Sequence, residues 1–126
     1  MTAILEHTNF TVTDPDVTAA WICDLFDWHI RWQGESLDNG RTVHVGTDTY
    51  YLALYAPATA AHKGPSSYAT IGGLNHIAVI VDDIDATREK VIKAGFTPGN
   101  FGDYEPGLRF YFRDHDGIEF EIVQYD

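Results

Sequence analysis

The chain has 126 residues, 44% hydrophobic and 21% charged, the size and balance of one compact soluble domain, which excludes an intrinsically disordered chain. Asp and Glu number 19 against 8 Lys and Arg, a formal net charge of −11 that disfavours nucleic acid and anionic membranes as partners and leaves small molecules as the expected ones. No apolar run reaches the roughly 18 residues of a membrane-spanning helix, the start MTAILEHTNF lacks a signal-peptide pattern, and the lone Cys23 excludes an internal disulfide, so a cytoplasmic protein is expected.

In chain order, the first predicted element is a strand starting at His7, with Thr8, Phe10 and Val12 on one face and His7, Asn9 and Thr11 on the other. Asp14 has the character of an N-cap, Pro15 suits a first helical turn, and VTAAWICDLF continues with helical apolar spacing. WHIRWQGES and RTVHVG are strand-like and separated by the turn LDNG; TYYLALYA supplies a further strand. Residues Pro57 to Gly73, rich in Ala, Gly, Pro and Ser, read as a connection.

The order then repeats. LNHIAVIV is a strand, Asp83 caps a helix through DIDATREKVIKAG, and FTPGNFG, LRFYFRD and IEFEIVQY supply three more strands. Asp14 follows His7 by seven residues, and Asp83 follows His76 by the same seven. This is an internal duplication of a strand–helix–three-strand unit. The expected architecture is α+β: two tandem βαβββ modules, residues 1–56 and 74–126, joined by the linker 57–73 into a single domain of residues 1–126. Each module is too short to bury a core alone, and the pair is expected to form a cupped, mainly antiparallel sheet with helices on its convex side.

With the helix on the side of Ile77, Val79 and Val81, strand alternation sends His76, Ala78 and Ile80 into the concavity, and His7 by the same parity. In the last strand Phe120 and Ile122 take the helix side, which leaves Glu119, Glu121 and Val123 on the concave one. Core packing alone does not call for the same polar residue in both copies. His7, His76 and Glu121 therefore stand as a candidate facial site for a divalent metal, with iron, manganese, zinc or nickel all suited to two imidazoles and a carboxylate. Parity also turns Arg109 and Tyr111 towards the cavity, as a carboxylate partner and a hydrogen-bond donor to an oxyanion, with Glu119 as a candidate general base. Tyr51 and Tyr55 share the parity of Ala53 and offer an aromatic wall. His29, His44, His62 and His115 have no duplicated partner and are set outside the site, although one residue of register would turn His44 inward.

The paired LEHTNFTVTD and LNHIAVIVDD, with the closing DHDGIEFEIVQ, resemble the vicinal oxygen chelate superfamily, which includes glyoxalase I, fosfomycin-resistance and bleomycin-resistance proteins and extradiol dioxygenases. The resemblance covers the whole chain apart from the linker. It implies that metal ligands come from the first and last strands of each module, which His7, His76 and Glu121 match; the fourth position falls on Ala53, which cannot ligate. A set of two histidines and one carboxylate resembles the extradiol dioxygenases and fosfomycin-resistance enzymes, and leaves coordination positions open for substrate oxygens or dioxygen. The resemblance thus implies a divalent-metal-dependent enzyme acting on a small oxygenated substrate, dioxygenase-like or lyase/transferase-like, and a homodimer. Its alternative is a bleomycin-resistance-like binding protein without catalysis, with which the net charge and the aromatic content also agree.

Overall fold

The computed structural model describes residues 1–104 and 107–125. By their internal contacts these fall into two units, Met1–Lys63 and Gly64–Asp126. In the first, strand β1 (His7–Thr11) keeps His7, Asn9 and Thr11 at least partly exposed while Phe10 is buried, the alternation expected of a half-covered strand. Helix α1 (Pro15–Phe26) starts where Asp14 Oδ1 accepts the N–H groups of Asp16 at 3.0 Å and Val17 at 3.4 Å, satisfying donors that have no partner within the helix. Its buried side, Thr18, Ala19, Ile22 and Leu25, covers a sheet completed by β2 (His29–Glu35), β3 (Arg41–Gly46) and β4 (Tyr51–Ala56). The strand order is β1-β4-β3-β2, with β1 parallel to β4 and the other pairs antiparallel.

The second unit repeats the arrangement with β5 (Ile77–Ile80), α2 (Ile84–Lys93), β6 (Gly102–Tyr104), β7 (Gly107–Arg113) and β8 (Glu119–Gln124), in the order β5-β8-β7-β6. Asp83 caps α2 by accepting the N–H of Ala86 at 3.0 Å, the counterpart of Asp14. Even isolated backbone bonds recur: Val12 donates to the Tyr55 carbonyl at 2.8 Å, and Val81 to that of Val123 at 2.9 Å. The fold is therefore α+β with tandem βαβββ modules, as the duplication implied. Among the described residues no helix is long and apolar enough to cross a membrane.

Each unit packs its own apolar layer between helix and sheet. Phe10, Ile22, Val43, Val45, Leu52 and Leu54 form the first; Val91, Phe110, Phe112, Phe120 and Ile122 form the second, where the Phe112 and Phe120 rings stack at 5.5 Å. One expected strand is displaced. The segment FTPGNFG is extended loop up to Phe101, and β6 begins only at Gly102. Pro98 has no N–H to give a ladder, and next to it the Gly99 N–H reaches the Tyr111 carbonyl at 2.6 Å.

The turn between β7 and β8 is built on a buried acid. Asp114, 6% exposed, accepts the N–H groups of Asp116 at 2.9 Å and Ile118 at 3.0 Å through Oδ1, and Gly117 supplies the positive φ of 80° that the turn needs. Its Oδ2 is buried with no hydrogen-bond partner among the described residues. Burial pushes the carboxyl above its ordinary 3.8, against the pull of the two backbone donors. Between 3.8 and the raised value the folded chain holds a proton that the unfolded chain has released. The contribution of this group to stability thus falls as pH rises through that window, and its ionised form opposes folding at neutral pH. Asp114→Asn keeps the Oδ1 acceptor and removes the charge. At neutral pH its urea midpoint is expected above that of the parent, with the gap closing in acid. Asp114→Ala loses the acceptor and is expected to cost about 1–3 kcal/mol. An asparagine variant less stable than the parent at neutral pH would contradict this account.

Candidate functional site

In the second unit, cross-strand pairing puts Ala78 opposite Glu121 and Glu121 opposite Tyr111. Paired residues share a face, so these three lie away from the side of Phe120, Ile122 and Phe112, which is buried. His76 immediately precedes β5 and joins this face. Glu121 is 6% exposed and its two oxygens have different partners. Oε2 accepts from Arg109 Nη1 at 2.9 Å, while Oε1 stands 3.3 Å from His76 Nε2. The Tyr111 ring meets the His76 ring edge-on at 5.9 Å between centroids. Arg109, expected to pair with a carboxylate, thus pairs with one inside the protein.

The other nitrogen of His76 is engaged from the segment that precedes β5 in the same unit. Tyr68, in a short 3-10 turn (Ser67–Ala69), brings its phenol oxygen to 3.3 Å from Nδ1. The same hydroxyl donates a hydrogen bond to Glu119 Oε2, a bond that pushes the phenol above its ordinary range. Glu119, the candidate base, therefore has its carboxylate committed to Tyr68, with Arg113 Nη2 further off at 3.9 Å. Beside this group a cavity of about 560 Å³ is lined by Phe96, Tyr111, Phe112, Arg113, His115 and Glu119 among others. Donor atoms of Asp114, His115 and Asp116 also lie within 4.8 Å of one another, but one Asp114 oxygen is already committed to the turn backbone.

The first unit has a different chemistry on the corresponding face. Asn9 pairs with Ala53, and Ala53 with His44, so Ala53 occupies the register position that Glu121 holds in the second unit. In place of a buried carboxylate there is an aromatic group. The Tyr51 ring stacks on His7 at 4.8 Å and on His44 at 4.6 Å, and Trp32 lies 5.1 Å from His44. A bulge between Ile30 and Trp32 lets Arg31 sit over the Tyr51 ring, 4.4 Å from its centre. Glu6 accepts from Tyr51 Oη at 3.2 Å and lies 2.9 Å from His7 Nδ1, and these contacts, that of His7 first, hold its carboxyl below the usual range. Burial, then the neighbouring His7 and Arg31, lowers His44, which favours its neutral form.

His76, Glu121, Arg109, Tyr111 and Glu119 thus gather on one face of the second unit, and His7 stands on the equivalent face of the first. Two residues outside the sequence-based set share these faces or touch them. His44, set outside the site by its lack of a duplicated histidine, shares the face of His7, and matching RTVHVG to LRFYFR puts it at the position of Tyr111. Tyr68 had no such signal, since it lies in the segment read only as a connection. His29 pairs with Asp48 at 3.3 Å on the surface, and His62 is exposed in the linker.

Residues 4–122 match the family described as Glyoxalase/Bleomycin resistance protein/Dioxygenase superfamily. No curated protein matches the sequence. Among solved structures, the chain is similar to a glyoxylase/bleomycin resistance protein/dioxygenase domain from Frankia sp. EAN1pec, with 20% identity, a TM-score of 0.82 and coverage of 100% of this chain and 93% of that one. It is also similar to glyoxalase I of Leishmania major, with 19% identity, a TM-score of 0.78 and coverage of 98% and 87%. A mutant of the fosfomycin resistance protein FosX of Listeria monocytogenes, complexed with Mn(II) and 1S,2S-dihydroxypropylphosphonic acid, has 17% identity, a TM-score of 0.73 and coverage of 98% and 93%. At these identities the structural likenesses bear on the fold.

The Arg109–Glu121 pair has a measurable consequence. Their side chains are 13% and 8% exposed, so removing the guanidinium leaves a carboxylate out of water without its main partner. Arg109→Ala is expected to destabilise the protein by about 3 kcal/mol in urea unfolding. The double variant Arg109→Met/Glu121→Leu should lose less than the sum of Arg109→Met and Glu121→Leu, with a coupling of at least about 1 kcal/mol. Strict additivity would show that the two charges do not support each other.

Proposed function

Because the chain belongs to the glyoxalase/bleomycin resistance protein/dioxygenase superfamily, we propose that it is a divalent-metal-dependent enzyme of the vicinal oxygen chelate type, acting on a small oxygenated substrate by dioxygenase-like or lyase/transferase-like chemistry. The observation that carries this reading is the approach of His76 Nε2 to Glu121 Oε1 at 3.3 Å. Two donors bound to one ion at about 2.0–2.2 Å stand roughly 3–3.5 Å apart in octahedral or tetrahedral geometry. The donor pair therefore fits a metal without rearrangement. His7 is assigned as the third ligand, which completes a set of two imidazoles and one carboxylate.

In this reading the residues divide the work. Arg109 holds Oε2 of Glu121, which leaves Oε1 as the ligating atom and keeps the carboxylate from rotating. Tyr111, beside His76, hydrogen-bonds a substrate oxygen as negative charge gathers on it. Glu119 acts through Tyr68 more directly than on substrate. The bound ion, iron, manganese, zinc or nickel, would supply a Lewis acid for two substrate oxygens. The Mn(II) in the Listeria protein supports manganese as the first ion to try. We also read the two units as modules of one domain, and the protein as a cytoplasmic homodimer that takes a small-molecule ligand.

A second reading, sequestration of a small molecule without catalysis, draws support from the first unit. Trp32 is 48% exposed beside His44 and Tyr51, and the chain carries a formal charge of −11, a combination suited to an aromatic or cationic guest.

Metal analysis separates the two. Protein purified without chelator and offered Mn(II), Fe(II), Zn(II) and Ni(II) in turn is expected to retain one equivalent of at least one of them. His7→Ala, His76→Ala and Glu121→Ala should each weaken retention at least about tenfold. If the parent protein holds none of these ions, the enzymatic reading fails and the binding reading stands.

A further inference from the structure

Within the second unit a column of rings leads out of the apolar layer. Phe120 stacks on Phe112 at 5.5 Å with 14° between the planes, and Phe112 on Phe96 at 5.7 Å with 19°. Phe120 is fully buried, Phe112 is 3% exposed and Phe96 is half-buried, so the rings grow more accessible in that order. Phe112 and Phe96 both line the cavity of about 560 Å³, whose size is that of a small-molecule site. Near-parallel rings held by the core offer a planar guest a surface already in place, so stacking on it costs little ordering. A puckered guest of the same size gains apolar contact without the stacking. Tyr111 and Glu119 line the same cavity, and Tyr111 meets the His76 ring, so the cavity adjoins the candidate ligands.

The charged groups of the cavity decide the charge of its guest, because each of them already has a neighbour. Arg113 donates from Nη1 to the Gly117 carbonyl at 3.0 Å and brings Nη2 to 3.9 Å from Glu119 Oε1. Glu119 Oε2 accepts from Tyr68, and His115 Nε2 lies 3.8 Å from Asp116 Oδ2. A carboxylate guest competes with Glu119 for Arg113 and enters the field of Asp114 and Asp116. An ammonium guest competes with Arg113 and Tyr68 for Glu119. An uncharged guest disturbs no pair, and the Arg113 side chain, 62% exposed, keeps donors for a neutral oxygen. We propose that this cavity binds an uncharged, planar aromatic molecule carrying a hydroxyl or carbonyl oxygen, its ring laid along Phe96 and its oxygen accepting from Arg113. That this molecule is the substrate rests on the function proposed above; that the cavity takes it rests on the second unit alone.

The test uses the full-length, metal-free protein at neutral pH and probes of one skeleton: 2-naphthol, its saturated counterpart decahydro-2-naphthol, 2-naphthoate and 2-naphthylmethylammonium. Affinities are read by titration calorimetry, and the site by backbone amide shifts in ¹H–¹⁵N spectra. 2-Naphthol is expected to bind about three- to tenfold more tightly than decahydro-2-naphthol, the share that stacking adds to apolar contact. It is also expected to bind more tightly than either charged probe. The shifts should gather on Phe96, Arg113 and His115. Phe96→Leu, which keeps an apolar side chain and removes the ring, should abolish the advantage of 2-naphthol and leave the saturated probe unchanged. The shift map is read on the parent, so it fixes the site even where the leucine variant folds poorly.

Equal affinity for the flat and saturated probes, or a charged probe bound best, overturns the proposal. Shifts that gather instead on Trp32, His44 and Tyr51 also overturn it, and place the guest on the aromatic face of the first unit. Mn(II) retention without any binding of 2-naphthol overturns the cavity assignment and leaves the proposed function standing. 2-Naphthol bound at Phe96 by a protein that retains no divalent ion supports the cavity assignment and counts against that function.

Discussion

A carboxylate withdrawn from water has to be met by donors or cations, and Glu121 imposes that requirement on everything around it. It lies in the strand at the heart of the second sheet, between β5 and β7, with its neighbours Phe120 and Ile122 fully buried. Placing a charge there is tolerable only because Arg109 projects from the adjacent strand to one oxygen and His76 approaches the other. The antiparallel register that pairs Arg109 with Val123 and Tyr111 with Glu121 is what sets the guanidinium within reach. Sheet, ion pair and candidate ligands are consequences of one alignment.

The two units show how a duplicated scaffold diverges once that charge is absent. At the matching position the first unit has Ala53, and no guanidinium needs to reach towards it. The released space on this face is taken by rings: Tyr51 against His7 and His44, with Trp32 beyond. Arg31, freed from a carboxylate partner in the sheet, lies over an aromatic face through its bulge and donates to the Thr47 carbonyl. One copy is organised by charge and the other by stacking, although the backbone bonds at their strand ends are equivalent.

Much of this was legible in the residue order, for a physical reason. Alternating burial along β1, aspartate caps before both helices and the equal spacing from histidine to cap are local signals that survive without coordinates. What escaped depended on partners distant in the chain. Whether Arg109 would face solvent, substrate or Glu121 is decided across two strands, and the reach of Tyr68 to His76 and Glu119 is decided by how the segment before β5 lies down. The weak β6 starts later than the residue pattern suggests, at Gly102, because Pro98 has no N–H to give a ladder. The internal repeat extends to the third strands, where it puts His44 at the position of Tyr111.

Joining segments usually drift in length, since little besides solvent depends on them. The stretch between Ser67 and His76 is constrained differently. Its 3-10 turn is closed by bonds from Ala69 and Thr70 back to Ser66 and Ser67, and Gly73 returns its N–H to Thr70, so most of the path from phenol to imidazole runs through short closed rings. A single inserted residue anywhere along it would rotate the tyrosine off its neighbour. Indel tolerance should therefore stop abruptly at Ser66, with freedom upstream and a fixed count downstream.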